Sequence, residues 1–371
     1  MIPHRGHHPA GQCRKGTDSG AYEEHDGHFT RKSTPPPGAS RIACVQIYHG
    51  LDEVPAELGP TVLTIGNFDG VHLGHQHVLS QLVHAAQQHR AAAVAITFDP
   101  HPALVHRPES APELLTGTGE KLARLKDCGV HAALVLDYTE ELYSLSAEQF
   151  VQQQLLPLAP AAVVVGRDVR FGRGNEGDFQ TLVTLGQQFG FSVLGVEDLP
   201  VTGPAGESLG QRCSSTAVRE AIAGGDMAAA AQMLGRAHSV TGEVVHGEAR
   251  GRELGFPTAN LSQDSEGMVP ADGVYAGWVT LPGHRWPAAI SVGSNPTFEG
   301  VKRVVEAHVI DRQDARVEDF NLYGKRIRVE FVARLRGMVA YEGVEKLVEQ
   351  MHQDVSQARS VLAGALEHQL R

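Results

Sequence analysis

The stretch GNFDGVHLGHQ at residues 66–76 brings two histidines, His72 and His75, together with three glycines and an aspartate. An apolar run, TVLTI (61–65), precedes it, and a helix-like run follows it. Glycines let the backbone approach a phosphate, and the N-terminus of the next helix offers free N–H groups and the positive end of its dipole. Two imidazoles at such a turn favour a site that binds a polyphosphate and stabilises charge developing on it. The other candidate phosphate-binding residues of this turn are Gly66, Asn67, Phe68, Asp69, Gly70 and Gly74.

Further polar groups follow later apolar runs in the same half of the chain. Ligands of open α/β sheets bind at the carboxyl ends of the strands, so groups from several strand ends meet at one site. A hydroxyl at a helix N-terminus with an arginine one turn later is a second arrangement that suits phosphate. The candidates are Asp99 in TFDPHP, Asp168 and Phe171 in VGRDVRFG, and Ser214, Ser215, Thr216 and Arg219 in CSSTAVREAI.

A second glycine-rich segment, HGEARGRELGFPTANL (246–261), lies in the C-terminal half. Thr258 and Asn260, two residues apart, can direct a hydroxyl and an amide oxygen at one cation. Oxygen ligands of this kind suit Mg²⁺, which keeps several waters and binds substrate phosphates. Taken in isolation, PTAN is equally compatible with an ordinary turn. The glycines that could bring the backbone to a phosphate are Gly247, Gly251 and Gly255.

The elements that must position the first group of residues alternate between buried strands and helices. Short apolar runs rich in β-branched residues suit strands that are covered on both faces. In the helix-like run 75–90, apolar residues four apart form one stripe. The pattern predicts a doubly wound parallel α/β sheet. The predicted strands are 61–65, 92–98, 132–138, 161–166 and 191–196.

After about residue 236 the periodicity changes to that of half-buried antiparallel strands. KRIRVEFVARLR (325–336) alternates apolar and charged residues, interrupted at Val332. We predict a small closed or nearly closed antiparallel β-barrel, followed by a C-terminal helix. The predicted inner face of this strand is Ile327, Val329, Phe331, Ala333 and Leu335. The other predicted strands are 238–247, 273–280, 287–293 and 303–310.

Composition narrows the class of protein. The net charge of −11 (32 − 43) argues against broad contact with nucleic acid, and no apolar run approaches the roughly 20 residues of a membrane span. The four cysteines are scattered without a CxxC pair, which fits a reduced cytoplasm and gives no zinc signature. Residues 1–43 are rich in His, Gly, Pro and Ser and predict a disordered tail. We therefore divide the chain into a tail (1–43), an α/β domain (44–235) and a barrel domain (236–371).

The motifs resemble those of a known family. HxGH followed by S/T-x-x-R is similar to the nucleotidyltransferase superfamily of adenylyl transferases, with its Rossmann-like fold. The set IGNFDGVHLGHQ, ITFDPHP, VGRDVRFG and SSTAVREAI resembles the N-terminal module of prokaryotic bifunctional riboflavin kinase/FAD synthetases. PTAN, GVYAGWV, SVGSNPTF, VEAHVI and NLYGKRIRVEFVARLR follow in the order of the riboflavin kinase module. The resemblance covers about residues 46–360, and it departs at Val169, where the family has Phe.

The resemblance implies two reactions: ATP-dependent phosphorylation of riboflavin to FMN, and adenylylation of FMN to FAD with release of pyrophosphate. An alcohol must lose its proton to attack ATP, and Glu306 in VEAHVI matches the family's catalytic base. The phosphate of FMN is already ionised, so His72 and His75 would bind phosphates without shuttling protons. Asp99, Asp168 and Phe171 would contact the flavin, and Thr258 with Asn260 would bind Mg²⁺.

The expected partners are riboflavin, FMN, FAD and ATP, with no nucleic acid and no membrane, in a cytoplasmic monomer or weak homo-oligomer. Because family-like sequence begins near VQIYHGLDEVP (45–55), we also hypothesise that translation begins near Val45.

Two alternatives stay open at this point. Another HxGH nucleotidyltransferase, such as a class I aminoacyl-tRNA synthetase, would share the first motif, but the chain has no KMSKS-like stretch. A flavin-binding or flavin-sensing protein with inactive sites would share the fold. Intact motif residues in both halves argue against this second alternative, and binding of flavin without consumption of ATP would support it.

Overall fold

The computed structural model describes residues 45–202, 208–247, 251, 254–293, 303–311 and 321–369. These residues belong to one compact unit, Ile42–Arg371. The predictions made for residues 1–43, for 294–298 of SVGSNPTF and for part of the glycine-rich segment lie outside the described residues.

The N-terminal half forms a sheet of parallel strands in the order β1-β4-β3-β2-β5-β6. The direction of strand addition reverses between β2 and β5, so their carboxyl ends flank the crevice where open α/β sheets bind ligands. The predicted doubly wound parallel sheet is confirmed. The strands are β1 (Gln46–His49), β2 (Thr61–Ile65), β3 (Ala92–Asp99), β4 (Ala132–Asp137), β5 (Pro160–Gly166) and β6 (Ser192–Val196).

Helices cover both faces of this sheet. Helix α1 (Leu73–His89) begins directly after the His72 turn, and it buries Leu79 and Leu82 against the sheet core. This matches the apolar stripe predicted for 75–90. The remaining helices of this half are α2 (Pro102–His106), α3 (Thr118–Asp127), α4 (Glu140–Tyr143), α5 (Ala147–Phe150) and α6 (Phe179–Phe189).

A short hairpin, β7 (Pro200–Thr202) and β8 (Ser208–Arg212), leads into helices α7 (Ser215–Gly224) and α8 (Met227–Leu234). Both helices bury apolar side chains in the cluster that also fills the barrel interior. Val218 and Ile222, for example, belong to the same core as Tyr275 and Phe331. The predicted domain boundary after Gly235 stays a prediction, but apolar packing continues across it.

The C-terminal half is a closed barrel with the strand order β10-β13-β12-β11-β14-β9. Its strands pair antiparallel throughout the described registers, which confirms the predicted barrel. Helix α9 (Val344–Gln369) packs against β11, β12 and β14 and buries Ala358 and Leu362. The strands are β9 (His238–Val245), β10 (Ala259–Leu261), β11 (Gly273–Leu281), β12 (His284–Gly293), β13 (Val304–Val309) and β14 (Arg326–Arg336).

Strand β14 departs from the predicted alternation beyond Phe331. Its register with β11 shifts twice, leaving Val332 and Leu335 without direct partners. Each β-bulge adds one residue and so moves the following side chains to the other face. The prediction that Leu335 shares the inner face with Ile327 is therefore wrong. Leu335 instead packs in the cluster formed with α9.

Candidate active sites

A cavity of about 450 Å³ lies at the carboxyl ends of β2 and β5. It brings together the turn after β2, the turn after β5 and the start of α7. Arg170 of the VGRDVRFG motif also lines it, as do Arg212 and Cys213, which no sequence motif had indicated. The predicted site residues that line it are Gly66, Asn67, Phe68, His72, Gly74, His75, Asp168, Ser214, Ser215 and Thr216.

The turn after β2 has an unusual backbone. Phe68, Gly70 and Val71 have φ angles of 51°, 79° and 40°. A β-branched residue at positive φ is a strong outlier, and such conformations cost about 1–3 kcal/mol each unless neighbouring groups hold them. Close packing favours glycine at position 74, since a Cβ there would lie 3.2 Å from the carbonyl oxygen of Cys213.

Neighbouring polar groups hold this turn in place. Ser215 Oγ donates to the carbonyl of Asp69 at 2.9 Å, and the N–H of Gly70 donates to Thr116 Oγ1 at 3.2 Å. Gln76 Nε2 donates to the carbonyls of Val71 and Leu234, each at 2.9 Å. The strained backbone is therefore fixed from three directions.

His72 and His75 form a stacked pair, with ring centroids 3.7 Å apart and an interplanar angle of 20°. His72 is the N-cap of α1, and its Nδ1 accepts from the N–H of His75 at 3.3 Å. This acceptor role leaves Nε2 to carry the proton of the neutral ring. His75 Nδ1 is buried and has no hydrogen-bond partner within the part of the chain that the structure describes. The pair therefore lies at the N-terminus of α1, where His72 Nε2 is a donor.

Both imidazoles are neutral near pH 7. Burial, followed by the positive charges of Arg212, Arg236 and Arg219, lowers the pKa of His72 to about 4. Burial, followed by the neighbouring His72, lowers the pKa of His75 well below its usual value. Neutral imidazoles can donate hydrogen bonds to phosphate oxygens without first losing a proton. This matches a role in binding and charge stabilisation.

Asp69 and Arg219 were predicted to bind phosphate, but neither is among the described residues that line the cavity. They form an ion pair with each other, with side chains 5% and 16% exposed. Asp69 also accepts from the N–H groups of Leu115 and Thr116. Gly70 likewise lies behind the cavity wall, where a Cβ would meet Leu115 Cδ1 at 2.7 Å.

The three predicted flavin contacts separate in space. Asp168 lines the cavity and pairs with Arg212 at 3.1 Å. Asp99 accepts from Thr118 Oγ1 at 3.2 Å, and Phe171 is buried against Phe150; neither is among the described cavity-lining residues. Val169, where the family motif has Phe, lines the cavity itself.

A second pocket, of about 250 Å³, opens between the barrel and α9. Gly251, Thr258 and Glu306 line it, together with His308 and other residues. Asn260 lies directly opposite Glu306 in the register of β10 with β13. Its amide nitrogen lies 3.4 Å from Thr258 Oγ1. The three residues singled out in this half therefore meet at one place, although 48 positions separate Thr258 from Glu306 in the chain.

This group fits a divalent cation such as Mg²⁺. A hydroxyl, an amide and a carboxylate supply the oxygen ligands that Mg²⁺ prefers. The Asn260 amide can present either its oxygen or its nitrogen beside Thr258. Gly247 allows this close packing, because a Cβ there would lie 2.6 Å from the Asn260 amide nitrogen. Gly255, with φ 86°, provides a turn and is not among the described residues lining the pocket.

An ion pair between α9 and β14 also lines the second pocket. Asp354, 6% exposed, pairs with Arg336 through two hydrogen bonds of 2.6 and 2.8 Å. His308 Nδ1 is 2.9 Å from the carbonyl oxygen of Pro257. The sequence did not indicate that Arg336 and Asp354 pair at this pocket. They belong to different elements, and each lies in an ordinary amphipathic pattern.

The fold and sites define a nucleotidyltransferase-type α/β domain joined to a small antiparallel barrel. Residues 54–208 match the family model described as FAD synthetase, and residues 234–362 match the model described as riboflavin kinase. The first match covers strands β2 to β6 of the parallel sheet, and the second covers the six barrel strands.

Relatives whose descriptions name both activities align with most of the chain. The bifunctional riboflavin kinase/FMN adenylyltransferase of Escherichia coli strain K12 is 35% identical over 313 residues, covering 84% of this chain and 95% of the relative. The enzyme of the same description from Bacillus subtilis strain 168 is 30% identical, covering 85% and 96%. A crystal structure described as a macrolide-efflux protein from Streptococcus pneumoniae has a TM-score of 0.73 at 29% identity, covering 85% and 98%.

The chain belongs to the family of bifunctional riboflavin kinase/FMN adenylyltransferases. It is an enzyme of flavin cofactor synthesis that makes FMN from riboflavin and FAD from FMN. The two alternatives, a flavin sensor and a different HxGH nucleotidyltransferase, are not favoured. Enzymes of this family use ATP, generally with a divalent metal. In the described part of the chain, no helix is long and apolar enough to cross a membrane.

Proposed function

We propose that the cavity between β2 and β5 is the site of FMN adenylylation, within residues 44–235, and that the barrel pocket is the site of riboflavin phosphorylation, within residues 236–371. The observation that carries the first assignment is the stacked, neutral His72–His75 pair at the N-terminus of α1. The meeting of Thr258, Asn260 and Glu306 supports the second.

In the adenylylation site, the phosphate of FMN attacks the α-phosphorus of ATP, and pyrophosphate leaves. No proton needs to be removed from the nucleophile. His72 and His75 donate hydrogen bonds to the phosphates, with the N–H groups of α1 and the Ser214–Thr216 segment completing the donors. Asp168 and Val169 flank the flavin, whereas Asp69, Gly70 and Arg219 support the turn from behind. Asp99 and Phe171 would influence the flavin through neighbouring residues, or contact it after a rearrangement of the site.

In the barrel pocket, the 5′-hydroxyl of riboflavin attacks the γ-phosphorus of ATP. Glu306 accepts the proton of that hydroxyl, which makes the oxygen a better nucleophile. Thr258 and Asn260 would hold Mg²⁺, which would supply positive charge against the phosphates. The backbone around Gly247, Gly251 and Gly255 approaches the phosphates of ATP.

Three further properties complete the proposal: the metal, the cellular compartment and the oligomeric state. We infer Mg²⁺ as the metal from the oxygen ligands of the barrel pocket. We infer a cytoplasmic protein from its scattered cysteines, and Cys128 and Cys213 are free in the structure. We also infer a monomer or weak homo-oligomer.

The assignment is tested by separating flavins chromatographically after incubation with riboflavin, ATP and Mg²⁺. The full-length chain should accumulate both FMN and FAD. His75→Ala should stop FAD formation and leave FMN formation. The matched control is His77→Ala, a half-buried histidine of the same helix that is not among the described cavity-lining residues. Equal loss of both products in a folded His75→Ala protein would contradict the division between the two sites.

A further inference from the structure

Arg236 lies at the start of the barrel half, yet its side chain contacts the turn that carries His72. Its Nη2 donates to the carbonyl of Gly70 at 2.7 Å. Its Nη1 lies 3.4 Å from the carbonyl of Val71 and 3.3 Å from that of Leu234, which are weaker bonds. Residue 236 falls inside the segment matched by the riboflavin kinase model and outside the segment matched by the FAD synthetase model.

The contacted backbone is the strained part of the turn. Gly70 and Val71 have φ angles of 79° and 40°, and the next residue is His72. A positive φ at valine persists only where the surroundings fix it. Gln76 holds the Val71 carbonyl from α1, and Arg236 holds both carbonyls from the barrel side. A change in the orientation of these two peptide groups would move the His72 ring relative to the cavity.

Arg236 is suited to this task because it remains a charged donor. Burial, followed by the nearby Arg124, lowers its pKa to about 10, so the guanidinium is protonated at neutral pH. Charge-assisted hydrogen bonds to carbonyls are stronger than neutral ones. A planar guanidinium also reaches two successive carbonyls at once, which an ammonium group cannot do with the same geometry.

We propose that Arg236 is a positioning residue for FMN adenylylation, which fixes the Gly70–Val71 backbone and through it the places of His72 and His75. The inference rests on the proposed assignment of adenylylation to this cavity. It means that the adenylylation site is incomplete without the first residue of the predicted kinase domain. Arg236 is not among the described residues that line the kinase pocket, so phosphorylation should be independent of it.

The test uses Arg236→Gln and Arg236→Lys in the full-length chain, with both reactions measured separately. For Arg236→Gln we expect kcat of adenylylation to fall about 10- to 100-fold, since small misplacements of catalytic groups have effects of this size. KM for ATP should change much less, and kcat of the kinase reaction should stay near the wild-type value. The kcat of adenylylation by Arg236→Lys should lie between those of the wild-type protein and Arg236→Gln, because lysine keeps the charge and one donor toward Gly70.

Ser239→Ala is the matched control. Ser239 Oγ donates to Glu120 across the same region, at 3.1 Å, but makes no bond to the turn. It should leave adenylylation near the wild-type rate. Chemical rescue gives a second readout that a merely structural role would not produce. Added methylguanidinium should partly restore adenylylation to Arg236→Ala and should not stimulate the wild-type protein.

Three results would overturn the proposal: wild-type adenylylation by a folded Arg236→Gln protein, a parallel fall of both activities, or an equal loss in Ser239→Ala. If Arg236→Gln does not fold, the same comparison of adenylylation with phosphorylation is made with Arg236→Lys, and its outcome decides the proposal. The His75→Ala experiment separates this inference from its basis. FAD formation by His75→Ala would refute the site assignment, whereas its loss combined with normal Arg236→Gln activity would refute only the role of Arg236.

Discussion

Asp69 and Arg219 form an ion pair that ties the turn after β2 to helix α7, 150 positions away in the chain. The carboxylate also accepts from two N–H groups of the 115–116 segment, and Arg219 Nε donates to the carbonyl of Glu113 at 2.8 Å. Each charge is thus engaged by protein groups on several sides. The pair supports the turn that carries His72 from behind, and a direct phosphate contact would require the pair to reorganise.

Asp69→Ala should therefore reduce the free energy of unfolding by about 3–5 kcal/mol, because it leaves Arg219 with little solvent and no paired carboxylate. Urea denaturation measures this change. Asp311→Ala is the control, since it removes an exposed pair with Arg359, whose side chains are 47% and 53% exposed. That variant should lose no more than about 1 kcal/mol. Similar small losses in both variants would refute the bracing role.

Glu306→Gln should reduce the kinase rate by about 10²–10⁴-fold, the usual effect of removing a general base. Adenylylation of supplied FMN should remain near normal, because its nucleophile is already ionised. Glu330→Gln is a suitable control, since Glu330 is a barrel-strand carboxylate that pairs with Arg285 and is not among the described pocket-lining residues. A kinase rate within a few-fold of wild type would remove Glu306 from the role of base.

Thr258→Val and Asn260→Ala should each raise the Mg²⁺ concentration needed for half-maximal FMN formation. The reason is that each removes one oxygen ligand from the proposed metal site. A titration of kinase activity with Mg²⁺ measures the shift, and the same titration of FAD formation from FMN serves as an internal control. An unchanged Mg²⁺ requirement for FMN formation in both variants would exclude these two residues as ligands.

Features that depend only on neighbouring residues, such as strands and helix caps, were predicted from sequence patterns. The strands β2 and β5 are short β-branched runs bounded by turns, and Ser214 caps α7 as its position predicted. The motifs of the two halves also contain residues that line the cavity between β2 and β5 and the barrel pocket. The role of His72 as a phosphate ligand stays a prediction, and the structure places His72 beside His75 in the cavity.

Contacts between distant residues could not be predicted in this way. Arg219 pairs with Asp69 in the structure, and nothing within either segment indicates this contact. Arg236 has an unremarkable sequence setting, and only the folded chain brings it to Gly70. The bulges that turn Leu335 toward α9 depend on the register with β11, which no pattern within β14 contains.

Acid should destabilise the protein well above the pH at which its carboxylates titrate, and His238 offers the cleanest test. Burial lowers the pKa of His238 to about 4, although its Nε2 bonds to the carbonyl of Met268 at 2.6 Å. In the unfolded chain a histidine has a pKa of about 6.5. Between these two values the unfolded state binds a proton that the folded state does not. The free energy of unfolding therefore falls as the pH drops below about 6.5, and it levels off below about 4.

For one such histidine the loss between pH 7.5 and pH 5 amounts to about 2 kcal/mol. His72, with its pKa also near 4, should add a similar amount. Denaturation curves at the two pH values measure the difference. His238→Gln keeps a donor for the Met268 carbonyl but cannot titrate, so its stability should depend less on pH by about that amount. His89→Gln, at the exposed end of α1, should leave the pH dependence unchanged. An identical pH dependence in His238→Gln and the wild-type protein would show that His238 is not held neutral in the fold.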